Sequence, residues 1–443
     1  MFPPNFSVSA NSSGDLTITY VTTPSRIAIF GGTAAASQIP GLATIMTCDP
    51  TVYSTLNACL AVANAFATTN ESGSGLAVRV LVSQGSWTLN PIVSSLTLTA
   101  AANASGGNTV YTGTITGGGT NPFVGLTFLV SGFDNSVNNG LFIAVSSTGT
   151  SLTLANPSGV SDTHAATTMS PFVIGNGVQI IGVLPRIEVT TGPPDEDVVL
   201  NGGTVINCQG TYGCFAGSKA RGIQLSGLAF TNYTGVAVWY GGNTLQGCAF
   251  CNFSDLYAVG SSTVNGTYGA WTFYNSQHIQ LDRLFAYNVN QGWNLTAQTN
   301  DGTDYGNFTI NDAFTATYPK SVANGNNSIP GALFQILTPA SGGTIGRLNN
   351  ITLNRWQINS YNGDSTGTNM AMNGLSSARQ LIGINITGAD LEGVNLYGLQ
   401  ISYMSLSYVN LTTTVGNTYD IQTQVGTIQN VFSCSSNCVL APG

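Results

Sequence analysis

A set of segments in the second half of the chain repeats one pattern, apolar-x-apolar-x-x-apolar-x-apolar, and this repeat restricts the fold more than any other feature. Val178-Gln-Ile180-Ile-Gly-Val183 begins it. Ile223-Gln-Leu225-Ser-Gly-Leu228-Ala-Phe230 and Asn243-Thr-Leu245-Gln-Gly-Cys248-Ala-Phe250 follow. Then come the segments starting at Ile279, Phe308, Ile351 and Ile384. The period of two in each half marks a strand, and the two-residue interruption marks a corner where the chain turns. No such unit buries its apolar side alone. Stacked at about 4.8 Å, the units supply each other with partners and form one continuous core. Unequal spacing between units argues against a propeller or leucine-rich horseshoe and for coils whose extra residues loop out at corners. Ile223, Asn243 and Ile279 are therefore expected on successive rungs. Asn232, Asn252 and Asn288, each two residues beyond a unit, are expected to form a ladder of amides.

Composition supports coils of this kind. Only 6% of the residues are charged, against roughly 25% in ordinary globular proteins. With 42% apolar residues, disorder is excluded for most of the length. The 54 glycines, with abundant Ser, Thr and Asn, favour short strands and tight turns over surface helices. The net charge of −8 and the lack of a basic stripe disfavour nucleic acid as a partner. No apolar run reaches the roughly 18–20 residues of a membrane span.

Residues 1–95 read as an N-terminal cap carrying the first strands. Tyr53 to Phe66 is an Ala-rich helix with Pro50 near its start, and Val78 to Leu89 is a strand, a Gly turn and a second strand. Residues 96–172 alternate short β-type runs with turn markers such as Asn138-Asn139-Gly140, which suggests a small inserted antiparallel β-sandwich, either a sugar-binding module or a spacer. Residues 173–433 form the repeat, and 434–443 read as a tail. The fold class expected is thus all-β: a right-handed parallel β-helix with an N-terminal helix cap and an inserted sandwich.

The eight cysteines fall into close pairs: Cys48 with Cys59, Cys208 with Cys214, Cys248 with Cys251, Cys434 with Cys438. An even count at short spacing suggests an oxidising compartment. Buried thiols are the alternative for Cys248, which the strand register points inward while Cys251 points outward. The start Met1-Phe2-Pro3-Pro4-Asn5 lacks the basic and apolar regions of a signal peptide. Export after signal removal, or release within a phage particle, is expected instead. Sequons such as Asn232-Tyr-Thr and Asn252-Phe-Ser leave glycosylation open.

The repeat, the capping helix and Val78–Leu89 together resemble the pectate-lyase-like right-handed parallel β-helix superfamily. Val78-Arg-Val-Leu-Val-Ser-Gln-Gly-Ser-Trp87 looks like the strand and turn that follow a capping helix there, and Gly177-Val-Gln-Ile-Ile-Gly resembles the next coil. The similarity covers about residues 50–95 and 173–430 and is one of pattern. Cys48-Asp49-Pro50-Thr51 departs from the glycine and paired aspartates usual before the helix. No polygalacturonase motif is present. The superfamily includes polysaccharide lyases, glycoside hydrolases, tailspikes and non-catalytic adhesins. The resemblance therefore implies a secreted, extracellular or virion-surface protein whose partner is a polysaccharide or cell-surface glycan.

Glycoside hydrolysis needs two carboxylates about 5–9.5 Å apart, and lyase chemistry needs a base with a means to neutralise the substrate carboxylate. The corner slots hold Asp282-Arg283, Asn311-Asp312 and Asn354-Arg355, so Arg283, Asp312 and Arg355 are expected in one column. That column reads either as a substrate groove or as a surface charge ladder. Asp301-Gly-Thr-Asp304 lies on a loop, where sites concentrate. It reads as a catalytic cluster, a Ca²⁺ locus or a solvated turn; no other cofactor and no metal centre are expected. The candidate catalytic acids are Asp282, Asp312, Asp301 and Asp304. Trp239, Tyr240, Trp271 and Trp293, with Arg283 and Arg355, are the candidate substrate-binding residues, since sugar C–H faces stack on rings. His278, beside a core strand, reads as structural. Two functions stay open: a tailspike-like depolymerase, or a non-catalytic structural or adhesive protein that self-associates as a homo-oligomer.

Overall fold

The computed structural model describes residues 6–10, 16–20, 44–70, 78–189, 198–242, 245–260, 267–298, 302–317, 332–336, 346–360, 370–373, 381–388, 390–392, 396–399, 401–407, 409–412, 419–423, 431–434 and 438–442. Strands dominate, and 24 of them join one sheet whose pairings are parallel.

Three ladders run through this sheet. The first joins Thr44–Cys48, Val78–Val82 and Val178–Ile181 to residues 224–226, 252–254 and 277–282, then to Tyr305–Asn311, Leu348–Asn354, Leu381–Thr387 and Ile401–Ser407. The second begins at Gly85–Thr88 and continues to Val431–Cys434. The third runs from residues 213–217 to Cys438–Pro442, so parallel pairing extends into the segment expected to be a tail. From Val178 to Thr423 each turn of chain contributes one strand to each ladder, as a repeat that buries itself only against its neighbours requires.

Val80, Ile180, Leu225, Phe253, Leu281, Ile310, Leu353 and Ile386 occupy matching positions on successive rungs and are all buried. Aromatics fill the opposite part of the interior. Trp293 lies between Trp271 and Trp356, with ring centroids 6.4 and 5.4 Å away, and donates its indole N–H to Thr315 Oγ1 at 3.0 Å.

Two units differ from the sequence expectation. Val183, the last apolar position of the first, is 51% exposed, because the second-ladder strand of that coil is Thr204–Asn207, and the unit begun at Asn243 is out of register. The strand paired with Ile223-Gln-Leu225 is Cys251-Asn-Phe253, through Gln224↔Asn252 and Leu225↔Phe253. Asn243 lies outside the described residues. The cause is Phe250, whose φ of 56° places it in the left-handed region. A residue there breaks strand alternation and resets which side chains face inward. Cys251 therefore points into the core, not outward, and is disulfide-bonded to Cys248. With that coil corrected, successive units stand 28 residues apart at Ser226, Ser254 and Asp282. Asn252 leaves the expected amide column. The register Phe230↔Ala258 and Val259↔Tyr287 puts Gly260 between Asn232 and Asn288.

The helix spans Leu56–Asn70, starting and ending later than expected. Thr55 Oγ1 accepts the Ala58 N–H at 3.3 Å, an N-terminal cap. Leu56, Cys59, Leu60, Ala63 and Ala67 bury one side against the first rungs, and Cys59 is bonded to Cys48.

The inserted module is a closed six-stranded antiparallel barrel, not a sandwich. Val93–Ala104, Asn108–Thr114, Ser151–Leu154, Gly140–Ser147, Thr127–Ser131 and Ala166–Ser170 are neighbours in that order, and the last pairs back to the first. Closure follows from the long first strand. It shifts register between Leu98 and Ala100 and so pairs with both Asn108–Thr114 and Ala166–Ser170. The barrel has its own core around Tyr111, Phe128 and Phe142. A second contact cluster joins it to the coils: Leu129 and Leu141 of the barrel meet Val236 and Trp239.

Candidate functional site on the first ladder

The outward positions of the first ladder form two polar rows in register. Arg79, Gln179, Gln224, Asn252, Gln280, Thr309 and Thr352 make one. Ser226, Ser254, Asp282, Asn311 and Asn354 make the other. Every member is exposed or half-buried. Strand alternation produces this directly, because the residues between them are the buried row of the core.

Both edges of this face are built from left-handed residues. On one edge Phe250, His278, Asn307 and Asn350 have φ between 53° and 56°, and the register aligns them on successive rungs. The Phe250 and His278 rings stack at 4.6 Å and 6°, with the Arg221 guanidinium 4.9 Å from the Phe250 centroid. Phe250 is 52% exposed, and His278 is exposed rather than a core residue. Farther along, Asn350 Nδ2 donates to Asn307 Oδ1 at 3.0 Å.

The other edge carries Asp255, Arg283, Asp312 and Arg355, again all left-handed. The expected column of Arg283, Asp312 and Arg355 is present and begins one rung earlier, at Asp255. Arg283 forms a two-pronged pair with Asp255 at 2.5 and 2.8 Å, and Arg355 pairs with Asp312 at 2.5 and 2.7 Å. Hydrogen bonding from Arg355 holds the Asp312 carboxyl below the usual carboxylate range against the opposing effect of burial, and the charges of Arg355 and Arg283 act in the same direction. The Arg283 guanidinium is raised chiefly by its bond to Asp255.

Asp282 sits inside the second polar row. Its carboxylate accepts Gln280 Nε2 at 2.6 Å and Asn311 Nδ2 at 2.5 Å, and Asn354 Nδ2 continues the chain to Asn311 Oδ1 at 2.8 Å. Asp282, Arg283, Asp312 and Arg355 are thus brought to one face. Asp304 is exposed and accepts the Arg347 backbone N–H at 2.7 Å; Asp301 lies outside the described residues.

The candidate aromatics lie elsewhere. Tyr240, Trp271 and Trp293 are at most 1% exposed, inside the coils. Trp239 is packed at the junction with the barrel, its ring 6.0 Å from Tyr274 and its indole N–H on Gly241 O at 2.8 Å. Sequence reasoning missed Phe250, which reads as the last apolar position of a coil. Its signal is the alignment, four residues apart, of Phe250 with Ser254 and of His278 with Asp282 once the rungs are registered correctly.

Among the residues whose side chains are described, three disulfides are formed and no cysteine is free; the expected pair Cys434 and Cys438 lies outside them. No helix among the described residues is long and apolar enough to cross a membrane.

No family model and no curated protein matches the chain. Among solved structures, the crystal structure of the Pseudomonas phage phi297 tailspike gp61 is similar at 10% identity and a TM-score of 0.16. The match covers 82% of this chain and 62% of the tailspike chain, so this protein spans under two thirds of that relative's length.

Proposed function

We propose that the protein is a right-handed parallel β-helix that works outside a cell or on a virion and binds polysaccharide along the outer side of its first ladder. Parallel strands joined by crossovers turn right-handed in about 98% of cases, and the three-strand rungs described above supply the crossovers. The three disulfides suit an oxidising environment.

The observation that carries the binding reading is the pair of polar rows in register. Amides and hydroxyls repeat at the rung spacing of about 4.8 Å, close to the advance per sugar of an extended polysaccharide. A chain laid along the axis meets a fresh donor or acceptor at each unit. The Arg221–Phe250–His278 stack forms one wall, and the ion-pair edge forms the other. Neither Arg221 nor Arg79 has a carboxylate partner among the described residues, which favours a glycan bearing some acid groups.

Affinity electrophoresis of the full chain through gels containing acidic and neutral polysaccharides tests this. Retardation by at least one acidic polysaccharide is expected, and Gln280→Ala with Thr309→Ala should weaken it about tenfold, the effect of two lost hydrogen bonds. Equal mobility of wild type and variant in every gel would refute the reading.

Cleavage is a second reading, favoured only by the position of Asp282 within the row. Asp312 is held ionised by Arg355 and is poorly suited to act as a general acid. If the face cuts, new reducing ends appear with wild type and vanish with Asp282→Asn.

A further inference from the structure

A cleft of about 400 Å³ opens where the barrel meets the coils, and its lining contains no Asp, Glu, Lys, Arg or His. We infer that this cleft is a separate binding site for an uncharged, hydroxyl-rich ligand, a neutral oligosaccharide. The site shares no residue with the first-ladder face.

Two walls of different origin meet here. The barrel contributes Ser94, Ser95 and Thr167, all exposed, and the coils contribute Gln209, Thr211 and Tyr212. The coil wall is the short loop closed by the Cys208–Cys214 disulfide. Gln209 and Gly210 within it both adopt left-handed backbone, at φ 58° and 68°. Gln209 is fixed further by its side chain, which donates to Asn207 Oδ1 at 3.0 Å. Thr211 Oγ1 lies 2.6 Å from the Cys208 carbonyl. Tyr212 packs 6.4 Å from Trp239, in the cluster that joins barrel to coils. The loop is therefore ordered before any ligand arrives, which lowers the entropic cost of binding.

The chemistry of the lining selects the ligand. The volume falls within the roughly 300–1,000 Å³ of small-molecule sites, which favour junctions between modules. A charged ligand would lose water here with no counter-charge to replace it. A neutral saccharide presents hydroxyls to Ser94, Ser95, Thr167 and Gln209 and an apolar ring face to Tyr212. Its hydrogen bonds are the kind these side chains make in both directions.

Calorimetry and saturation-transfer NMR with the full chain test the inference, with cellohexaose, maltohexaose and N-acetylchitohexaose as probes and hexagalacturonate as the charged control. At least one neutral probe should bind the wild type. Thr167→Arg, which puts bulk and charge into the cleft from an exposed strand position, should weaken that binding at least tenfold at an unchanged melting temperature. Tyr212→Ala should weaken it as well. Phe250→Ala with Gln280→Ala should leave it unchanged, so failure of the ladder site and failure of the cleft are told apart. The inference is overturned if no neutral probe binds, if binding survives both cleft variants, or if hexagalacturonate competes for the cleft on equal terms.

Discussion

The two edges of the first-ladder face share a backbone and differ in chemistry. Both place non-glycine residues in the left-handed region on consecutive rungs, a conformation that costs L-residues roughly 1–2 kcal/mol. Glycine stands at rungs where no side chain is used: Gly222 before Phe250, and Gly227 before Asp255. Along one edge the charges alternate and satisfy each other, Asp255 with Arg283 and Asp312 with Arg355. Along the other, a ring, an imidazole and two carboxamides line up with the Arg221 guanidinium above them, which has no carboxylate partner among the described residues. The same strained corner thus serves two ends. The paired edge closes the coils against charge repulsion, and the ring edge leaves its groups available to something outside.

Four measurements sharpen or break this contrast. The largest effect belongs to the interior that both edges rest on. Trp293→Ala removes a fully buried ring and its bond to Thr315, and denaturant unfolding should show a loss of about 3–5 kcal/mol. A loss under 1 kcal/mol would mean that the aromatic core does not hold the rungs in place. Next comes Phe250→Gly. It removes the half-exposed ring while relaxing the backbone, so glycan binding should fall about tenfold while stability holds or rises slightly. A falling melting temperature would show the ring edge to be structural and erase the distinction. Third, Arg355→Ala removes an exposed pair, so it should lower the melting temperature only slightly and leave glycan affinity within about twofold. Loss of binding would move the site to the paired edge.

The smallest effect is on acid stability. Asp312 has a lower pKa folded than unfolded, so the pair contributes fully above the ordinary carboxylate value of about 4, and that contribution fades as pH falls through the folded value. In Arg355→Ala the Asp312 share of this acid dependence should shrink, since the largest cause of its lowered pKa is removed. Unchanged acid unfolding between wild type and variant would show that the pair carries no linkage.

The repeat was legible because buried and outward residues alternate whatever the rung, and Ile180, Leu225, Leu281, Ile310 and Leu353 keep their places. It was misread at Val183, which ends up exposed, and more seriously at Phe250. The local text Gly-Cys-Ala-Phe imitates half a coil, and only the backbone angle shows that Phe250 is a corner residue with its ring outside. The candidate site was legible to the same degree. Arg283, Asp312 and Arg355 share a slot in the repeat, so their column could be read from spacing. Whether a tryptophan in a coil faces in or out depends on which corner precedes it, and three of the four aromatic candidates proved internal. The barrel's closure depends on a register shift in one strand between Leu98 and Ala100, which alternation alone does not reveal.

The barrel leaves and rejoins the coils at almost one point: Ile92 N–H bonds Ser170 O at 2.7 Å, and Val93 pairs with Ser170. Strands on either side, Gly85–Thr88 and Val178–Ile181, already hold places in the ladders through other partners. Such an attachment behaves like a tool head on a shaft. Descendants of this chain can lose it, lengthen it or trade it for another without rewriting the shaft.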